Sequence, residues 1–280
     1  MFSKSHSLLL VACGGSAVVA LSCGSLVHAG VVYQDNFART GSLIGSSPSP
    51  VDSGGAYWSG NLHNVTAQTD GSELVLSQAS GQYAVGSTFL PFTPPTSGTV
   101  TLSAGLEVGA ITGPSSAQGW GLIGFVPVGG SNGVANGSYS AGPTVQLVST
   151  NGEVIMEPNT VLGSSAGYYM IPSFSHTTAY QFTINYNISA QTAQWYIGSG
   201  SSQTLMYSYN YTTHSDAPTI TAVEAGIWAS QRNTTPEVVD VQNFELTTTP
   251  VPEPATLGLF AASGGLGLLL LRRRRRLGIG

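Results

Sequence analysis

The chain has 280 residues, 41% of them hydrophobic and only 8% charged, with a formal net charge of −5. That figure hides an asymmetry: residues 30–251 hold two arginines, Arg39 and Arg232, no lysine and twelve acids, a net of −10. So acidic a surface excludes nucleic acid and anionic lipid as partners of this region. Gly, Ser, Thr and Asn stand where charges usually do, which leaves a hydrogen-bonding surface suited to neutral polymers.

Residues 1–29 read as a secretory signal, with Lys4 as a small cationic start and a largely apolar, helix-forming stretch from Leu8 to Val27. Val27-His28-Ala29 places small residues where signal peptidase reads, so the mature chain is expected to begin at Gly30, after Ala29. Leu10-Val11-Ala12-Cys13-Gly14 also looks like a lipobox that would acylate Cys13. Its preceding apolar segment is short, which favours ordinary cleavage. Both cysteines, Cys13 and Cys23, fall inside the leader. The body therefore has no disulfide, thiol nucleophile or cysteine-bound metal, and must be held by its core.

Residues 30–248 read as one all-β domain. Alternating or β-branched runs bounded by Gly, Pro, Asn or Asp recur along it, and no stretch of ten shows a helical period. The clearest are 31–37, 73–77, 99–108, 120–126, 144–150, 153–157, 180–188, 192–197, 204–212, 221–229 and 238–247. Asn151-Gly152 predicts a hairpin with a type I′ turn, and Asp70-Gly71 a second one. Eleven or more strands call for two packed antiparallel sheets, since one sheet would leave a face bare. Residues 41–60 and 129–143, rich in Gly, Ser, Pro and Asn, read as long loops.

Asp35-Asn36-Phe37-x-Arg39, Gly41-x-Leu43-x-Gly45 and Trp58 resemble the opening of concanavalin A-like jelly rolls of the laminin-G and lectin/glucanase type. Ala225-Gly226-Ile227-Trp228-Ala229 followed by Val239-Asp240-Val241-Gln242-Asn243-Phe244-Glu245-Leu246 resembles their close. The resemblance implies a jelly-roll sandwich whose first and last strands are neighbours, with Phe37 near Phe244. It implies a fold and no activity.

Several constellations bear on chemistry. Glu153 and Glu157 sit at i and i+4 of one strand and share a face. Laminarinase-like hydrolases of this fold place nucleophile and acid on Glu-x-Asp-x-Glu; here the middle position is Ile155, and Glu153 follows a turn. Solvent-facing carboxylates explain the pair better, and no catalytic residue is assigned. Gly163-Ser164-Ser165-Ala166-Gly167 and Gly119-Trp120-Gly121-Leu122-Ile123-Gly124 match nucleophile-elbow and phosphate-loop patterns, but no helix follows either. His63, His176 and His214 are too scattered for a metal centre. No cofactor is expected; calcium at Asp35, Asp52 or Asp240 is the one structural ion considered, and no loop concentrates enough oxygens for it. Tyr207, Tyr209 and Tyr211 alternate along a strand, as a sugar-stacking row or as half-buried core. Trp58, Trp120, Trp195 and Trp228 are expected in the core.

The last segment, 249–280, changes character. Pro252-Glu253-Pro254 cannot continue strand or helix, because each ring fixes φ and removes a donor. A charge-free run of fifteen residues, 257–271, follows, and then five arginines, Arg272, Arg273, Arg274, Arg275 and Arg276. As helix the run spans ~23 Å, the short end for a bilayer core. The arginines would stay cytoplasmic and stop transfer, leaving everything before Pro252 outside. The order of these parts resembles the PEP-CTERM sorting signal of bacterial surface proteins. That resemblance implies processing near Pro252-Glu253-Pro254 by an exosortase in a Gram-negative, exopolysaccharide-making host. The function expected is that of a non-catalytic exported protein. It starts as a membrane-anchored precursor and ends in the surface or biofilm matrix. A carbohydrate-binding module is the alternative reading, and a glycoside hydrolase at Glu153/Glu157 the third.

Overall fold

The computed structural model describes residues 30–249 apart from 54, 80, 128–141, 159–166 and 214–217. The signal helix, Cys13, Ala29, Ser165, His214, the motif Pro252-Glu253-Pro254, the apolar helix 257–271 and the five arginines lie outside these residues.

Within them the chain is a two-sheet antiparallel sandwich, as its resemblance to jelly rolls implied. The strands are β1 (Gly30–Asp35), β2 (Thr40–Ser42), β3 (Pro50–Asp52), β4 (Ser59–His63), β5 (Val65–Asp70) and β6 (Leu74–Gln78). Then come β7 (Ala84–Pro91), β8 (Thr99–Val108), β9 (Gly119–Val126), β10 (Thr144–Val148), β11 (Glu153–Glu157) and β12 (Gly167–Met170). The last five are β13 (Tyr180–Asn187), β14 (Thr192–Ile197), β15 (Thr204–Asn210), β16 (Ala222–Ala229) and β17 (Val238–Thr249). One sheet has ten strands, ordered β15-β14-β13-β8-β17-β6-β5-β2, with β1 on β17 and β3 on β1. The other has seven, ordered β12-β11-β10-β9-β16-β7-β4.

Period-2 alternation decides what each sheet buries. Val100, Leu102, Ala104, Leu106 and Val108 of β8 point inward, as do Phe182 and Ile184 of β13 and Val239 and Val241 of β17. Ile123 and Phe125 of β9, Val145 and Leu147 of β10, and Val223 and Ile227 of β16 meet them in one continuous core. Each such side chain contributes ~1.5–3 kcal/mol, and a body without cysteines rests on that sum.

β1 and β17 are neighbours, Asp35 standing opposite Phe244. Trp58 fills the space beside them, its ring 6.2 Å from Phe37 and 5.2 Å from Phe244. The buried Asp35 carboxylate accepts from Arg39 Nη1 and Nη2 at 2.8 and 2.7 Å, Trp58 Nε1 at 2.7 Å and the Phe37 N–H at 2.9 Å. The residues that suggested the fold are thus a structural hub. β17 pairs with β6 through Val238–Val241 and with β1 through Phe244–Thr248, and Asn243 at φ 50° marks the irregularity between them. A local bulge lets one strand change partner.

Two expectations are corrected, and one long strand was not anticipated. The stretch 41–60 is not one loop, since it contains β3 and parts of β2 and β4. Those strands are short and mostly exposed, so burial imposes no alternation on them. β7 also escapes sequence reading, because it is buried on both faces and its Gly86-Ser87 pair imitates a turn. The Asn151-Gly152 hairpin exists, but residues 149–152 connect its strands and of that pair only Gly152, at φ 67°, is left-handed. Its N–H donates to Val148 C=O at 3.1 Å, the wider connection that a type I turn plus a left-handed residue makes. Asp70-Gly71 does join β5 to β6, with Gly71 at φ 109°.

Candidate functional site

The outward face of the seven-stranded sheet gathers most of the chemistry. Hydrogen-bonded register places Glu157 opposite Thr144, Thr144 opposite Gly124, and Gly124 opposite Glu224. One residue pair further along, Ile155 faces Gln146 and Gln146 faces Leu122, which faces Gly226. The next row runs Val148, Trp120, Trp228 and Val85.

Glu153 and Glu157 do share this face, as their spacing required, yet they belong to different surroundings. Glu153 is partly exposed at the strand start, its N–H donating to Asn151 Oδ1 at 3.0 Å. Glu157 is buried and accepts from Gln146 Nε2 at 3.0 Å; burial pushes its pKa up to about 7. Ile155 lies between them, and the central acid that would couple two such carboxylates is missing.

Glu224 was not singled out from sequence. It is fully buried in β16, and among the described residues neither carboxylate oxygen meets a donor at full hydrogen-bond geometry, Ser87 being a neighbour and not a well-formed partner. Desolvation pushes it up to about 7, the neighbouring Ser87 hydroxyl pulling the other way. Three strand spacings separate its backbone from that of Glu157, ~14 Å, so the two are row-mates and not a contacting pair. The available signal was one charge inside Ala222-Val223-Glu224-Ala225-Gly226-Ile227. Glu237 is likewise buried and pushed up to about 8 by desolvation, with Ser149 Oγ 3.3 Å from Oε2 and Oε1 without a partner.

The tryptophans divide. Trp58 and Trp195 are core, as expected, and Trp195 Nε1 donates to Thr144 C=O at 2.8 Å. Trp120 and Trp228 are not core: they are half-buried on the outward face, stacked at 4.0 Å and 10°. Tyr83 meets Trp228 edge-on at 6.0 Å. The alternation of β9 and β16 put both indoles outside, a register that sequence alone does not supply.

The expected tyrosine row is broken, since β15 ends at Asn210 and Tyr211 opens a 3-10 turn, fully buried, its hydroxyl donating to Pro158 C=O. Tyr207 and Tyr209 are half-buried and pack on the core. Tyr207 lies 5.6 Å from the Trp195 ring and Tyr209 4.9 Å from Tyr211.

The three acids considered for calcium are dispersed. Asp35 is filled by its four donors, Asp52 accepts the Ala56 N–H at 3.1 Å, and Asp240 stands opposite Glu107 on the ten-stranded sheet. Burial, then the charges of Glu73, Glu107 and Asp70, push Asp240 up to about 7. Among the described residues no three His, Cys, Asp or Glu side chains are grouped to hold a metal. His63 is exposed, and His176 Nδ1 lies 3.1 Å from Val108 C=O. The glycine pattern 119–124 forms part of β9 and runs into no helix. Gly30, where the mature chain is expected to begin, is the first residue of β1 and stands opposite Thr248.

Comparison with known proteins adds two findings. Residues 250–276 match the PEP-CTERM protein-sorting motif. No curated protein sequence matches the chain significantly. Among solved structures, winged bean acidic lectin, complexed with methyl-α-D-galactose, superposes with a TM-score of 0.53 at 12% identity, covering 80% of this chain and 100% of that one. Peanut lectin gives 0.52 at 13%, covering 81% and 100%. The metal-free exoplasmic/lumenal domain of VIP36 gives 0.54 at 10%, covering 80% and 95%. Identities this low show shared architecture alone. The chain therefore joins a lectin-type, concanavalin A-like β-sandwich to a C-terminal PEP-CTERM protein-sorting motif.

Proposed function

We propose that this is an exported, non-catalytic protein of a Gram-negative bacterium. Signal peptidase releases it before Gly30, and an exosortase processes it at Pro252-Glu253-Pro254. The sandwich then resides with extracellular polysaccharide at the cell surface or in the biofilm matrix. The observation that carries this reading is the sorting-motif match at 250–276, which begins directly after β17 ends at Thr249. An apolar run followed by five arginines supports a membrane-anchored precursor by the positive-inside bias. Among the described residues no helix is long and apolar enough to cross a membrane, and the run itself lies beyond them. Intact mass of the protein from medium and envelope, in strains with and without the processing enzyme, tests the reading. A product that keeps Arg272–Arg276 in both strains sinks it.

A second reading, carbohydrate binding by the sandwich, is favoured by its likeness to lectins whose structures hold methyl-α-D-galactose or, for VIP36, Man2. Its net charge directs it to neutral polymers. The processed protein should be retained on a neutral polysaccharide resin and released by the free sugar; passage straight through rejects it. The hydrolase reading has little support, because the carboxylates face separate neighbours, Asn151 Nδ2 at 3.5 Å from Glu153 Oε2 and Gln146 Nε2 donating to Glu157 Oε2 at 3.0 Å. Reducing-sugar release lost in Glu153→Gln/Glu157→Gln would revive it.

A further inference from the structure

Gly30 and Thr248 are cross-strand partners on β1 and β17. The residue expected to follow the leader and the residue two before the sorting-motif match at 250 are therefore ~5 Å apart at their Cα atoms. Thr249 pairs with Thr99, Thr99 with Asn187, Asn187 with Thr192, and Thr192 with Asn210. This row of strand ends forms one pole of the ten-stranded sheet and carries no charged side chain. A groove of about 320 Å³ lined by Pro94, Pro95, Ile188 and Pro218 adjoins it, Ile188 donating to Gly98 C=O at 2.9 Å.

A cluster of acids lies at the other end of this sheet, while Asp52 and Glu245 stand three and four residue levels back from Thr249. Asp240 and Glu107 face each other nine residues back along β17, ~30 Å from Thr249. Glu73 joins them, accepting from Gln242 Nε2 at 2.8 Å. Among the described residues the row of strand ends beside Thr249 is thus uncharged, and the cluster of Asp240, Glu107 and Glu73 lies at the opposite end of the sheet.

Only Pro250 and Val251 separate Thr249 from Pro252. Three residue steps reach at most ~11 Å. An enzyme gripping Pro252-Glu253-Pro254 must then come against the strand ends while β17 stays zipped. Burying charge in such a contact is costly, and interface centres are depleted of it. We propose that the uncharged row of strand ends around Thr99, Asn187 and Thr249 is the surface the folded sandwich presents to the membrane-embedded sorting enzyme. This rests on the exosortase reading above. The cut breaks one peptide bond: the acyl group passes to water or an acceptor amine, whose proton goes to the freed amine that leaves with the tail.

The test follows loss of the tail by pulse labelling of the full chain in its own cells. Thr96→Glu/Ser189→Glu/Ala190→Glu adds three acids at exposed positions of this pole. Ala110→Glu/Ser115→Glu/Gln118→Glu adds three at exposed positions of the far one. The near triple is expected to slow tail loss about tenfold and the far triple less than about twofold. Four Gly/Ser residues inserted between Thr249 and Pro250 should restore the near triple, because the motif can then be gripped clear of the domain. Deleting Pro250 and Val251, which alters no strand, should slow tail loss comparably and so serves if the near triple misfolds. Equal rates for both triples, or an unchanged rate for the deletion, overturn the proposal. An unsubstituted chain that keeps its arginines instead fails the sorting reading itself, and this one with it.

Discussion

The indole N–H of Trp58 donates to the Asp35 carboxylate at 2.7 Å across 23 residues of sequence. The same carboxylate holds Arg39 through two bonds, and the guanidinium carbon stands 5.9 Å from the Phe37 ring centroid. Asp35 is wholly buried and its partner a quarter exposed, so this is a charge that the fold must keep paired. Removing Arg39 as Arg39→Ala should cost ~3–5 kcal/mol, because Asp35 remains buried without its cation. Trp58→Phe, which keeps the ring and loses the donor, should cost ~1–3 kcal/mol. Urea denaturation of the secreted body measures both, and equal small losses would show that the carboxylate is not what the hub depends on.

Stability should fall as pH rises from about 4 to about 8. Asp240, Glu157 and Glu224 are pushed up to about 7 and Glu237 to about 8, chiefly by burial, and Glu107 is raised as well. Their folded values exceed the unfolded ones, so the folded state binds more protons throughout that window. Stability is greatest at its acid end and levels off above the folded values. Asp70 works oppositely: backbone N–H groups of Ser72 and Glu73 lower it, so its contribution is lost only as pH falls below the ordinary range. Denaturation midpoints at pH 5 and pH 9 should differ in that sense, and Asp240→Asn should narrow the difference by removing a carboxyl group raised first by burial and then by the charges of Glu73 and Glu107.

A methyl group at Gly119 would overlap the Glu237 carboxyl group. The neighbouring Ser149 hydroxyl also donates to Gly119 C=O at 2.7 Å, so the surroundings have little room to give. Gly119→Ala should destabilise by ~1–3 kcal/mol. Thermal unfolding is the measurement, with Gly30→Ala as comparison, since a methyl there meets only the Thr248 hydroxyl at 4.0 Å.

Tyr211→Phe tests the tyrosine row. The buried hydroxyl donates to Pro158 C=O, so its removal should lower stability by ~1–3 kcal/mol. Affinity for any retained glycan should not change. A loss of glycan affinity at constant stability would instead make the row a contact surface.

The tail and the class of fold were legible because each is written in consecutive residues. Pro252-Glu253-Pro254, the charge-free run and Arg272–Arg276 follow one another, and local sterics and charge suffice to read them. The long strands were legible for the same reason: β8 and β17 alternate, and alternation is local. β7 was not, because burial on both faces erases its pattern, and neither were β2 and β3, whose exposure never imposed one.

What the sequence by itself determined, then, is an all-strand body and a tail that resembles a sorting signal, since both follow from short-range order. Tertiary structure alone decided that Trp120 and Trp228 stack outside, that Glu224 is fully buried, and that Gly30 lies beside Thr248. Each of these depends on which strands pair and in what register, and a shift of one residue would exchange the two faces of the sheet.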